Sequence, residues 1–483
     1  MRFLNSEDAC RELALEDVFL CQGHWTGNSR RDVNITPIDG LPGSNPIVAA
    51  NMNAVAGKRL AEALARAGGI AILPQDMSVE TVTRAIRKVC SAHPIFETPL
   101  TVGPNQDARL VMDLVNRRGC RLVIVVDDQR KPLGVVTPDD LWDDKFREKL
   151  DPFAKAHAFM TAPFAIRPDS SLQYMFEQLF AARVSVAPVV DSSGVLIGTV
   201  SRDLLVHRAL NPWQTSDMAV GAAVGINGES VKKAVACVEA GASVIVLDTA
   251  HGDQVKMLKA LREVRAAVDP GVKLVAGNVC MPDGVKRLIE AGADIVKTNV
   301  GPGAMCTTRL QTGVGRPSFS TTVACALAAK DVGGFIWADG GVKHPRDLGL
   351  YLAAGASRVM IGTSLAGTYE APGELKRDPD GAAYKVNFGM ASRRAVVDRN
   401  AGIGEFEAAI RAMYEEGISN SKVFLREGQD TVGRFVAAYI TGLQSSMTYV
   451  GARTLPEFCV EAIVGVQTSA AFHEGTPHGA IRK

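Results

Sequence analysis

The chain has 483 residues, of which 47% are hydrophobic and 22% charged. That mix excludes disorder or a long coiled coil as a description of the whole, and the length implies two to four domains or one barrel carrying an insertion. Lys plus Arg number 53 and Asp plus Glu 52, a net charge of +1, too even for a protein built to coat nucleic acid. No apolar run approaches the roughly 18 residues of a membrane span. The N-terminus MRFLNSEDACRELALEDV mixes charges and has no apolar signal core. Nine cysteines without a CxxC pair fit a reducing, cytoplasmic setting.

Short β-branched runs ending in Gly, Asp or Asn recur along the chain. They are IVAAN (47–51), GIAIL (69–73), AVGAAVG (219–225), SVIVLD (243–248), KLVAGN (273–278), DIVKTN (294–299), FIWADG (335–340) and RVMIG (358–362). Helical periodicity fills most intervals, for example Gly57 to Ala67, Glu229 to Ala240 and Gln254 to Ala267. Continuous apolar strands alternating with helices indicate a parallel sheet buried on both faces. Eight of them predict a (β/α)8 TIM barrel. An open doubly wound sheet is the alternative, but no GxGxxG follows the first strand.

The gap between Leu73 and Ala219 is too long for a structureless loop. Inside it, PLTVGPNQDARLVMDLV…RLVIVVDDQRKPLGVVTPDDL (99–141) is echoed by PFAIRPDSSLQYMFEQLF…SVAPVVDSSGVLIGTVSRDLL (163–205), at a period of 64. A duplicated unit of strand, helix, strand, hairpin and helix packs against its own copy. The pattern resembles a tandem pair of CBS domains, a Bateman module, which in other proteins often binds adenine nucleotides. In the first copy Thr137 to Asp140 matches the Thr-x-x-Asp ribose contact of such modules. In the second, Asp203 follows Ser201 by two residues, which departs from that motif. The module either binds a nucleotide such as ATP or GTP or only organises assembly. The expected domains are barrel residues 1–92, the paired repeats at 93–212, and barrel residues 213–483 with a catalytic loop, a flap and a C-terminal segment.

Four constellations carry chemistry. After the sixth strand comes Asn299-Val300-Gly301-Pro302-Gly303-Ala304-Met305-Cys306-Thr307-Thr308-Arg309. A Gly-Pro-Gly turn exposes backbone there and sets Cys306 on a loop at the C-terminal barrel face, where barrel enzymes work. A thiolate is a good nucleophile, tuned by nearby hydroxyls and Arg. The other cysteines lie in helical or strand contexts, where they act as small hydrophobes. After the fourth strand, Asp248-Thr249-Ala250-His251-Gly252 offers a carboxylate able to grip a ribose or carboxamide, with His251 read as structural. After the fifth, Asn278 can bond a ligand or cap the next helix. After the last two strands, Asp339-Gly340-Gly341 and Gly362-Thr363 are turns where barrels commonly bind phosphate through bare N–H groups. Asp339 repels phosphate and suits a sugar diol, so the pair suggests a nucleotide.

These residues resemble the IMP dehydrogenase and GMP reductase family over almost the whole chain. GPGAMCTTR is close to the family's GPGS-x-CTTR, with Ala304 in place of a phosphate-contacting Ser. The resemblance implies that Cys306 attacks C2 of a purine nucleotide to form a thioimidate. Asp339, Gly340, Gly341, Gly362 and Thr363 would hold the ribose monophosphate. Met52 and the strip Gly389, Met390 and Ala391 would contact the purine. Asp248, Thr249, Asn278 and Gly301 would lie near the nicotinamide. A monovalent cation such as potassium would sit on carbonyls of Gly301, Gly303 and Cys306. Glu474, Gly475 and Thr476, in the tail that ends at His478, would complete that site from a neighbouring subunit. The resemblance also implies a homotetramer, or an octamer paired through the repeats.

The family runs two reactions through that intermediate. The dehydrogenase passes hydride from IMP to NAD and then hydrolyses to XMP. The reductase expels ammonia from GMP and accepts hydride from NADPH to give IMP. Hydrolysis needs an Arg-Tyr pair on a flap, but this chain reads Asp398-Arg399-Asn400-Ala401, without Tyr. Ala50-Asn51-Met52-Asn53 and Asn387-Phe388-Gly389-Met390-Ala391-Ser392 are also nearer the reductase forms. Glu416-Gly417 matches the family's base contact, and in a reductase Glu416 with Thr308 delivers the proton that frees ammonia. The expected activity is a CBS-containing GMP reductase using NADPH or NADH. The paired repeats and the Asp248-Thr249-Ala250-His251 form keep IMP dehydrogenase as the alternative, and a weakly catalytic purine nucleotide sensor is the other.

Overall fold

The computed structural model describes residues 1–115, 119, 122–143, 148–149, 151–399 and 405–477. Eight strands close into a parallel barrel: β1 (Ile47–Ala49), β2 (Ile70–Leu73), β3 (Val220–Val224), β4 (Val244–Asp248), β5 (Lys273–Val279), β6 (Ile295–Thr298), β7 (Phe335–Asp339) and β8 (Arg358–Ile361). Every neighbouring pair runs parallel, and β8 returns to β1 through Val359 opposite Ile47. Each strand is one of the eight apolar runs read from the sequence.

Their largely apolar composition has a direct cause. Val48, Ile70, Ile72, Val244, Val246, Val275, Ile295 and Trp337 fill the barrel interior. The alternate residues Ile47, Ala71, Leu73, Val220, Ile245, Leu274 and Val296 pack under the helical ring. Both faces of each strand are therefore buried. Helices Lys58–Arg66, Ser230–Glu239 and Val255–Ala267 fall on the predicted periodic stretches. The arrangement is a (β/α)8 TIM barrel.

The N-terminal end of the barrel is closed by a buried ion pair. Arg358 and Asp39 are both 0% exposed and lie 2.9 Å apart. Trp337 Nε1 and Ser357 Oγ donate to the Asp39 carboxylate, and Arg358 reaches the carbonyls of Leu41, Pro42 and Asn45. The charges are thus fully hydrogen-bonded, the condition for a buried pair to persist.

Two copies of one unit stand between the helix ending at Cys90 and β3. In the first, strand Thr101–Val102 lies parallel to Val123–Val126, which forms a hairpin with Pro132–Val136. In the second, Ile166 bridges Val189 in parallel, and Val186–Val190 forms a hairpin with Leu196–Ser201. Val125 faces Gly134 in one hairpin and Val189 faces Gly198 in the other, so the register repeats. Leu122 and Ile124 of the first copy pack with Leu196 of the second. After β8 a three-stranded antiparallel sheet, Lys376–Arg377, Ala383–Asn387 and Ser421–Phe424, leads into the long helix Val432–Val450.

Candidate active site

β6 ends at Thr298, and its loop delivers Cys306 to the C-terminal barrel face, exposed to solvent. Cys306 Sγ donates to Thr308 Oγ1 at 3.3 Å, and Thr308 Oγ1 donates to the Glu416 carboxylate at 2.8 Å. A thiol, a hydroxyl and a carboxyl group thus form one continuous hydrogen-bonded chain. The backbone holds it in place. Thr307 N donates to Glu416 O, Glu416 N to Ala391 O, and Ile418 N to Met305 O. A Cβ on Gly389 would stand 2.9 Å from the Met305 carbonyl, so this stitching needs a bare glycine.

Burial acts on four of the other cysteines. It pushes the Cys237 thiol up to about 11 and the Cys325 thiol to about 12, and it also raises Cys90 and Cys280. Such thiols are poor nucleophiles at neutral pH.

A charge cluster forms the floor of the site. Lys297 on β6, with only 4% of its side chain exposed, lies 2.9 Å from Asp248 at the end of β4 and 2.7 Å from Asp339 at the end of β7. Burial opposes its charge, yet the two carboxylates hold the ammonium above its ordinary range. Asn51 Nδ2 donates to the second Asp248 oxygen at 2.7 Å. Asn278 accepts from Lys297 and donates to Asp339 at 3.0 Å and to the Asn299 carbonyl at 2.9 Å. Asn278 therefore faces inward. The next helix, Pro282–Glu290, begins after Met281 without a side-chain cap, so Asn278 does not fill the capping role left open in the sequence.

Lys297→Met strips the neutralising charge from two half-buried carboxylates. The expected cost is about 3–5 kcal/mol of stability, the scale of breaking a buried ion pair from one side. Urea denaturation of the variant checks it. An unchanged midpoint would show that the cluster carries no net stabilisation.

Gly340 and Gly341 both adopt left-handed backbone, at φ +82° and +78°. They bring β7's turn against Gly303 and Pro302 of the cysteine loop, at a distance a side chain would prevent. Tyr351 Oη donates to the Gly340 carbonyl at 2.9 Å. Beside this turn, Gly362 and Thr363 open the short helix Thr363–Ala366, and Asn387 Nδ2 donates to Thr363 Oγ1 at 3.4 Å.

One cavity of about 840 Å³ opens here, in the upper range for small-molecule sites. Met52, Asp248, Thr249, Asn278, Gly301, Gly303, Cys306, Thr308, Asp339, Gly340, Gly341, Gly362, Thr363, Gly389, Met390, Ala391 and Glu416 all line it. Ala304 lines it too, presenting a methyl group where a hydroxyl was expected. His251 is exposed and is not among the lining residues. Glu474, Gly475 and Thr476 are not either. They lie at the end of the exposed helix Ser469–Glu474 and beyond. Thr137 and Asp140 belong to the first repeat, where the Thr137 hydroxyl and amide both donate to Asp140 Oδ2 at 2.7 Å. Asn400, Ala401 and His478 lie outside the described residues, and so does the side chain of Arg399.

The chain and its fold match known proteins. The family model described as IMP dehydrogenase / GMP reductase domain matches residues 13–478. The chain belongs to this family. It is 44% identical over 481 residues to a protein named GMP reductase from Mycobacterium tuberculosis, covering 99% of both chains. It is 36% identical over 442 residues to an inosine-5'-monophosphate dehydrogenase from Aquifex aeolicus, covering 90% of this chain and 88% of that one. A solved structure of a cysteine-to-alanine GMP reductase from Trypanosoma brucei, in complex with guanosine 5'-monophosphate, superposes with a TM-score of 0.67. It is 31% identical and covers 99% of this chain and 100% of that one. The chain is an oxidoreductase of this family.

Lys297 and Tyr414 line the cavity and were not singled out in the sequence. Lys297 stood inside an apolar run, DIVKTN, and a lysine in a doubly buried strand was itself the signal. Tyr414 lines the cavity although 77% of it is exposed, and nothing local marked it. Among the described residues no helix is long and apolar enough to cross a membrane.

Proposed function

We propose that the chain is a GMP reductase, converting GMP and NADPH to IMP, ammonia and NADP in purine salvage. The observation that carries this reading is the Cys306–Thr308–Glu416 relay. The Cys306 thiolate adds to C2 of GMP. The 2-amino group takes a proton passed from the Glu416 carboxyl through Thr308 and leaves as ammonia, giving the thioimidate. Hydride from the reduced nicotinamide then adds to C2, and the Cys306 sulfur departs to give IMP.

The remaining groups bind. Asp339 keeps Oδ1 without a protein partner among the described residues, open to a ribose diol. Backbone N–H groups of Gly341, Gly362 and Thr363 hold the phosphate. Met52 and Gly389–Ala391 contact the base, and Asp248, Thr249, Asn278 and Gly301 face the nicotinamide. The Gly303 carbonyl accepts one bond from Cys306 N and retains a second lone pair. That fits a potassium ion held with the Gly301 and Cys306 carbonyls and with Glu474, Gly475 and Thr476 of a second copy. When bound, the ion supplies only charge and tethers the loop. We read the paired repeats as a Bateman module in which Thr137 and Asp140 meet the ribose of ATP or GTP, and the assembly as a cytoplasmic homotetramer or octamer.

A specific observation keeps the dehydrogenase as a second reading. Tyr414 places a phenol at the cavity, two residues from Glu416, where a water-activating group is needed. Purified protein with potassium decides between the readings when GMP plus NADPH and IMP plus NAD are followed side by side. The expected result is loss of NADPH with IMP and ammonia formed, and no XMP in the second mixture. XMP formation would overturn the reductase reading. Silence in both mixtures with GMP still bound would leave a nucleotide sensor.

A further inference from the structure

The two repeats end differently. In the first, the Asp140 carboxylate turns back on its own Thr137, as its spacing of three residues allows. In the second, the spacing is one residue shorter. Ser201 instead accepts from Leu204 N at 3.0 Å and caps helix Arg202–Leu210. That leaves the Asp203 carboxylate facing out of its own repeat and onto the barrel. There, Arg434 Nε and Nη2 donate to it at 2.9 and 2.6 Å.

Arg434 belongs to the first turn of helix Val432–Val450, and its third nitrogen, Nη1, holds Asp430 at 3.0 Å. The Asp430 carbonyl in turn accepts from Tyr369 N at 2.8 Å, and Val432 N donates to the Glu370 carboxylate at 3.1 Å. Residues 369 and 370 come just after Gly367 and Thr368, which end the helix opened by Gly362 and Thr363. A second route reaches the same turn. Buried Lys385 donates to the Tyr369 carbonyl at 3.0 Å, and Asn387 on the same strand donates to Thr363 Oγ1.

We infer that Arg434, clasped by Asp203, is a positioning residue for the phosphate-binding turn, so that the second repeat is a strut for the nucleotide site. The inference rests on the nucleotide reading of Gly362 and Thr363 given above. The clasp is partly exposed, with 38% of the Arg434 and 53% of the Asp203 side chain open to solvent. Such a pair contributes little to global stability. Its loss is therefore felt in how firmly residues 430–432 hold 369–370, and through them the turn.

The test is calorimetric titration of full-length protein with GMP, and separately with phosphate-free guanosine. The variants are Arg434→Met, Asp203→Leu and the pair. Each single variant is expected to bind GMP about three- to tenfold more weakly, with guanosine affinity unchanged. The double variant is expected to be no weaker than Arg434→Met alone, which already removes the Asp203 contact along with its own bond to Asp430. Unchanged GMP affinity in folded single variants overturns the inference, as does an equal loss for guanosine. Asp203→Leu, similar in shape but without an acceptor, carries the test if Arg434→Met fails to fold. Wild-type protein that binds no GMP would instead overturn the nucleotide reading of the site, and this inference with it.

Discussion

Cys306→Ala is expected to lower turnover of GMP by at least about 10⁴-fold while GMP affinity stays within a few-fold, because the variant removes the nucleophile and nothing that grips the nucleotide. The geometry supports that separation. The loop carrying Cys306 is held by backbone bonds, Cys306 N to Gly303 O and Thr307 N to Glu416 O, and none of these uses the sulfur. The sulfur's recorded hydrogen bond is to Thr308. Consumption of NADPH and a GMP titration on the same preparation check both halves. Alkylation gives an independent readout. Cys237 and Cys325 are held as thiols by burial, so iodoacetamide should label Cys306 ahead of them and GMP should protect it. Substantial turnover by Cys306→Ala would end the covalent mechanism.

The second large effect belongs to the far end of the relay. Glu416→Gln keeps the shape of the side chain but removes the acid, and Thr308→Val keeps the shape but removes the hydroxyl. Each is expected to slow ammonia release by about 10²–10⁴-fold, the usual range for a lost general acid. The Glu416 backbone is bonded at N to Ala391 and at O to Thr307, so neither substitution moves the loop. In the proposed reaction the hydride step does not use this proton. Mixing the Glu416→Gln enzyme with IMP and NADP should therefore still reduce the cofactor once per site, and rapid-quench single-turnover measurements with GMP should show the loss. Full activity in Glu416→Gln would mean that the proton reaches the amine by another path. An equal loss in both half-reactions would make Glu416 a structural anchor of the loop.

Both predictions depend on residues that meet only in three dimensions. Thr308 and Glu416 are 108 positions apart in sequence, and Asp203 and Arg434 are 231 apart. Glu416 could be linked to Thr308 from the sequence only through the family motif. Lys297 shows the limit of reading without such a motif. Its strand was legible as a strand because Ile295 and Val296 are apolar, but the reason for a lysine there, Asp248 on one side and Asp339 on the other, comes from strands two and one places away around the barrel.

By itself the sequence determined what depends on neighbours along the chain. The eight strands, the helices between them, the period of the repeats and the glycine turns at strand ends are all local. Hydrophobic periodicity records which faces are buried, and backbone conformation is set within a few residues. The tertiary structure alone decided which strand ends converge, which charges neutralise one another and where Asp203 turns when its own repeat leaves it free. Closing a barrel brings every strand's C-terminal end to one rim whatever its place in the sequence. The chemistry therefore lies in distances that no local pattern encodes.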